Sequence, residues 1–185
     1  MTLRTVVAGS ALLMLLAVAG CGGNAARGGD KDDGTVTVIG QLSRRGGTPF
    51  SMVLLQARDG MSYWIQSTAL GDELRQLVGM EVAVTGRLVR NDEGENILMV
   101  QYYYLLRLPS GEKPVVGIVR TRSGGPVWVF DDNNVHWSLQ GDFVDVLRSF
   151  AGAKVWVTGV VQKKLNVGQG AVRTLLVTEY GVIRP

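Results

Sequence analysis

The chain has 185 residues, with 19 Lys+Arg against 16 Asp+Glu, one His, one Cys and 25 Gly. A single Cys excludes an internal disulfide and a single His excludes a metal site built on several imidazoles. The net charge is +3, and would be +2 without the first 20 residues, which hold Arg4 and no acid; this is far from a strongly basic nucleic-acid footprint.

Residues 1–20 begin with one cation, Arg4, and continue as the apolar run Val6–Ala19, of signal-peptide length and shorter than the ~20 residues of a membrane span. The run ends in Val18-Ala19-Gly20-Cys21. This resembles the lipobox of bacterial lipoproteins. The resemblance implies that Cys21 becomes the lipidated N-terminus, carrying diacylglycerol with palmitate-type chains. It also implies a protein of the cell envelope; Gly22 in place of Asp after the Cys points to the outer membrane, facing the periplasm. Residues 21–34 then supply five Gly and five charges without a large apolar side chain, a composition that suits a flexible tether of about 20 Å.

From Thr35 the sequence repeats itself. At an offset of 73 residues Trp64 falls on Trp137, the stripe Leu70, Leu74, Leu77 on Phe143, Leu147, Phe150, Gly79 on Gly152, and Val82-x-Val84-Thr85-Gly86 on Val155-x-Val157-Thr158-Gly159. Upstream the offset becomes 77, with Gly40 on Gly117, which places a four-residue length difference between the first and third strands. Such self-similarity marks an internal duplication. The copies span 35–107 and 115–185, joined by the polar, turn-rich 108–114.

In the first copy, alternation and turn residues predict strands over 36–42, 51–57 and 61–66, the last two joined across Arg58-Asp59-Gly60. A helix is predicted over 70–78, with Asp72 and Glu73 in its first turn and Gly79 stopping it. Strands over 81–90 and 96–107 follow. The second copy gives strands over 115–121, 127–130 and 135–139, a helix over 143–151 capped by Asp142, and strands over 154–165 and 171–183.

Three strands, a helix and two strands in about 70 residues is the order of the OB-fold, a five-stranded barrel. The fold class expected is therefore all-β with short helices: two tandem OB-fold barrels, each with a helix between strands three and four. The chain is similar to bacterial tandem OB-fold lipoproteins and, more distantly, to anticodon-binding-like OB domains; the mid-repeat helix argues against SH3-like barrels. Small barrels without a disulfide or metal need each other's surface. Ala83 becomes Trp156 in the second copy, which marks a position for that contact.

No nucleophile elbow, phosphate loop, HExxH or CxxC is present, so no enzymatic activity, cofactor or metal is expected. The lone His136 lacks an evident orienting carboxylate, and the acids Asp92-Glu93 and Asp131-Asp132 read as solvated turn residues. The OB resemblance implies a ligand face on strands two and three with the adjoining loops. The residues it selects are Arg44, Arg45, Arg58, Tyr63 and Trp64 in the first copy, and Arg120, Arg122, Trp128, His136 and Trp137 in the second. Aromatic rings beside Arg suit stacking on sugars or bases. Trp64 and Trp137, if equivalent, equally suit a barrel core. In Tyr102-Tyr103-Tyr104, one face of the strand must carry Tyr103 and the other the outer pair. The sequence thus points to a membrane-anchored, non-enzymatic module that meets an envelope protein or a glycan. Nucleic acid, the partner the fold suggests, sits poorly with the export signal and the small charge.

Overall fold

The computed structural model describes residues 34–47, 51–162 and 173–185. The signal segment, Cys21 and nearly all of the tether lie outside the described residues, as do Lys163 and Lys164.

The first copy folds as β1 (Thr35–Arg45), β2 (Met52–Ala57), β3 (Ser62–Ile65), α1 (Ala69–Arg75), β4 (Glu81–Arg90) and β5 (Asn96–Arg107). The second gives β6 (Val115–Thr121), β7 (Val127–Asp131), β8 (His136–Gln140), α2 (Val144–Ser149), β9 (Lys154–Gln162) and β10 (Arg173–Arg184). Each set of five strands closes a barrel: β1-β2-β3-β5-β4, and β6-β7-β8-β10-β9. The third and fifth strands run parallel in both, and all other neighbours antiparallel. The molecule is two tandem OB-type barrels, each with a helix between its third and fourth strands.

Alternation decides which side chains fill them. In β1, Val38, Gly40 and Leu42 point inward while Thr37, Ile39 and Gln41 are exposed. Leu74 and Leu147 are fully buried and plug the barrels from α1 and α2. After each helix, Gly79 and Gly152 take φ of 91° and 92° and donate to the carbonyls of Leu42 and Val119 at 2.8 and 2.9 Å, which ties the helix exit to the first strand. Thr68 caps α1, accepting from the Gly71 amide at 3.2 Å. Asp142 does not cap α2, contrary to expectation. The chain enters that helix through a turn closed by Val144 N–H on Gly141 O, which makes Phe143 the cap position and leaves Asp142 ahead of it.

The barrels share a core. Trp156, Ile183 and Val116 belong to the second barrel by topology, yet they pack into the hydrophobic cluster of the first. Trp156 is 6% exposed, and Gly181 lies directly beneath it across the β9–β10 ladder; a Cβ there would stand 2.5 Å from the indole nitrogen.

Beside this apolar seam lies a buried charge. Glu73, 3% exposed on α1, accepts from Tyr103 Oη at 2.5 Å and Lys154 Nζ at 2.9 Å, and forms an ion pair with Arg184 Nη1 at 3.1 Å. Lys154 also sits 4.6 Å from the Tyr103 ring centre. Burial pushes the Glu73 carboxyl upward, but the hydrogen bonds from Lys154 and Tyr103 and the charges of Lys154 and Arg184 outweigh it and hold it below the usual carboxylate range. Burial, and then the adjacent carboxylate, push the Tyr103 phenol far up, so it stays a donor.

A carboxyl lowered in the folded state adds stability that is fully present above its unfolded value, near 4.5, and is lost as pH falls through the folded value. Glu73→Gln should therefore cost about 3 kcal/mol at neutral pH, because it leaves the partly buried Lys154 without its counter-charge. In urea denaturation, that difference from the parent should shrink as the pH is brought below about 4.5.

Candidate functional site

The ladders fix which residues of the proposed ligand face look outward. In the second barrel the inward row is Val119, Val129 and Trp137, at 0%, 0% and 8% exposed. The rows on either side face out: Ile118–Phe130–His136 and Arg120–Trp128–Ser138. Phe130 and His136 stack at 4.0 Å between ring centres, with Trp128 on the neighbouring row and Arg122 exposed just beyond β6. This surface carries three aromatic rings and two arginines over three strands.

In the first barrel the same face is poorer. Its outward rows are Gln41–Gln56–Ser62 and Ser43–Leu54–Trp64. Trp64 is half-buried, and Leu54 beside it is 5% exposed. Arg44 and Arg45 end β1 opposite Val53 and Met52, in a paired strand and not in the mobile loop that their Gly-Gly neighbours suggest. Arg58 lies in the β2–β3 turn and is paired with Glu81, through Nε at 3.0 Å and through Nη2.

Trp64 and Trp137 are not equivalent. The hydrogen-bonded partners show that Tyr63 corresponds to Trp137: Leu42–Leu55–Tyr63 in one barrel is Val119–Val129–Trp137 in the other. The position of Trp64 is taken by Ser138, and that of His136 by Ser62. The second copy is three residues shorter between its first two strands and one shorter between its third strand and helix, so the difference of four is split. Aligning the tryptophans shifts β3 by one residue and exchanges its faces. Tyr63, 7% exposed, and Trp137 are therefore barrel-core residues, whereas Trp64, Trp128 and His136 look outward.

Trp137 has polar partners that the sequence does not reveal. Its Nε1 donates to Asp131 Oδ2 at 3.2 Å, and Arg173 stands over the indole at 5.3 Å. Asp131 is more than a solvated turn acid, since its Oδ1 also accepts from the amides of Asn133 and Val135, both at 2.9 Å. His136 hydrogen-bonds no carboxylate or hydroxyl among the described residues, and no cluster of three or more metal-ligating side chains occurs among them. Of the tyrosines, Tyr103 turns inward to Glu73, while Tyr102 and Tyr104 lie outside in an edge-to-face pair at 5.9 Å, 49% and 56% exposed.

No family model matches the chain, and no curated protein matches it. Among solved structures, the wild-type single-stranded DNA binding protein from Thermus aquaticus is similar over 82% of this chain and 92% of its own, at 13% identity and a TM-score of 0.25. A deletion mutant of that protein is similar over 82% and 93%, at 14% identity and a TM-score of 0.24.

The two faces of the strands make separable demands. Trp137→Ala should cost about 3–5 kcal/mol by opening a cavity in the second core. Trp128→Ala, on the outer face, should cost about 1 kcal/mol. Chemical denaturation of the two variants checks the difference.

Proposed function

We propose that this chain is a lipid-anchored, non-enzymatic binding module of the cell envelope, and that its working surface is the outer face of β6, β7 and β8. The observation that carries the reading is the outward cluster of Trp128, Phe130 and His136 flanked by Arg120 and Arg122. Aromatic rings are costly to leave on a surface, and a contiguous set of them marks an interaction site. Flat rings accept the C–H face of a sugar, and the neighbouring guanidinium groups can donate to hydroxyls or to the carboxylates of acidic sugars. A saccharide polymer is therefore the occupant that fits this face best. The anchor rests on the lipobox ending in Cys21, and the non-enzymatic reading on the want of a catalytic motif in the sequence and of an orienting partner for His136 among the described residues.

The same rings and arginines would also accept the bases and phosphates of a single strand, which is the second reading. Salt distinguishes the two. Counterion release makes single-strand binding fall with a slope of about −0.7 per phosphate neutralised, whereas stacking on a neutral sugar leaves it nearly flat. Tryptophan fluorescence of the full-length protein, titrated with N-acetylglucosamine oligomers and with oligothymidylate, separates them. The saccharide reading expects a response to the sugar that varies little with salt and is lost in Trp128→Ala. Steeply salt-dependent binding of oligothymidylate alone would replace it with the second.

The anchor has its own test. Cys21→Ser should release the protein from the membrane fraction while leaving 35–185 folded; a variant that stays embedded after a salt wash would overturn it.

A further inference from the structure

Where β6, β8 and β10 begin, the second barrel opens into a cleft of about 630 Å3, within the range of small-molecule sites. It continues against β5 of the first barrel. Its apolar lining comes from the core: Val115, Val135, Val157 and Leu175 beside the indole of Trp137.

The charges in the lining are unequally engaged. Asp131 accepts from the Trp137 indole N–H and two backbone amides, neutral donors that leave it its charge, and Lys154 is ion-paired with Glu73. Asp131 and Asp132 remain beside two cations, Lys113 and Arg173, that have no carboxylate partner among the described residues. The Arg173 guanidinium rests over the Trp137 ring. Its N–H groups have no hydrogen-bond partner among the described residues, an arrangement that suits a guanidinium for binding an oxyanion.

The duplication supplies an internal control. The corresponding end of the first barrel holds a cavity of about 300 Å3, lined by Tyr63 and Ala57 where the second has Trp137 and Asp131. The residue opposite Tyr63 at the start of β5 is Asn96, where the second barrel has Arg173; Asn96 is occupied in accepting from Arg90 Nε at 3.3 Å. One architecture thus appears twice, and among the described residues the second copy alone has both the larger space and a guanidinium on an indole with no carboxylate partner.

We infer that this cleft binds a small amphiphilic anion, with an apolar body against the valine and leucine walls and one carboxylate, sulfonate or phosphate at Arg173 and Lys113. The site is distinct from the outer aromatic face and does not depend on what that face binds.

The test is calorimetric titration of decanoate, below its micellar range, into the full-length protein in phospholipid nanodiscs, with empty nanodiscs subtracted. One decanoate should bind per chain. Arg173→Gln should weaken binding about tenfold, the loss of one charge-assisted contact, and Lys113→Gln should weaken it further in the double variant. Both side chains are exposed, so the variants keep the fold, which circular dichroism verifies. Trp128→Ala, on the outer face, should leave the affinity unchanged. Decan-1-ol, with the same chain and no charge, should bind more weakly than decanoate. Absence of binding, equal affinity for the alcohol, indifference to the double variant, or loss of binding in Trp128→Ala would each overturn the inference.

Discussion

Two cations face each other across the last ladder of this protein, and much of the arrangement follows from what neutralises them. Lys154 and Arg184 are direct partners in the β9–β10 pairing, and like charges so placed repel. In the first barrel the corresponding partners are Glu81 and Arg107, an acid and a base that satisfy one another at 3.7 Å. The second barrel has no acid of its own at that point. It takes Glu73 from the other barrel, on a helix position that is the exposed Val146 in its own copy. Burying a carboxylate and an ammonium together costs about as much desolvation as their attraction returns. The network therefore contributes less to net stability than to geometry: Glu73, held by Tyr103 of its own barrel, ties α1 to Lys154 and Arg184 of the other. That placement also brings β5 against the mouth of the cleft.

Much of the architecture was legible because duplication doubles every signal. The helix stripe, the glycines at 79 and 152, and the hairpin and bend residues appear twice in the same order, so strand order and barrel class followed directly. What failed was register. Trp64 and Trp137 are the most conspicuous match between the copies, and aligning them displaces β3 by one residue. In a structure of period two, a single residue decides between core and surface. The correct register was present in quieter residues: Tyr63 and Ile65 alternate as Trp137 and Leu139 do.

The proposed binding surfaces were partly visible too. The outer face of β6–β8 was recoverable from aromatic and arginine content, although Phe130 entered only through the strand pairing that sets it on His136. The Asp131–Trp137–Arg173 arrangement was not recoverable, because it depends on a parallel β8–β10 contact between residues 36 positions apart in the chain. Glu73 was read as a carboxylate favouring a helix dipole. The signal that it is buried was its place beside Leu74 and Leu77 on a short amphipathic helix, together with the unpaired cations at 154 and 184.

The seating of Trp156 and Ile183 in the first barrel changes how the chain must fold. By strand topology there are two domains, but the first cannot complete its apolar core until residues 154–184 have been delivered to it. During synthesis, residues 35–107 emerge first and wait with part of their interior facing water. The first barrel is then not an independent folding unit: it should gain and lose structure together with the second, and cutting the chain at 108–114 would leave it an unfinished half. Duplication began with two copies of a barrel, and exchange of one tryptophan and one glutamate has left a single protein.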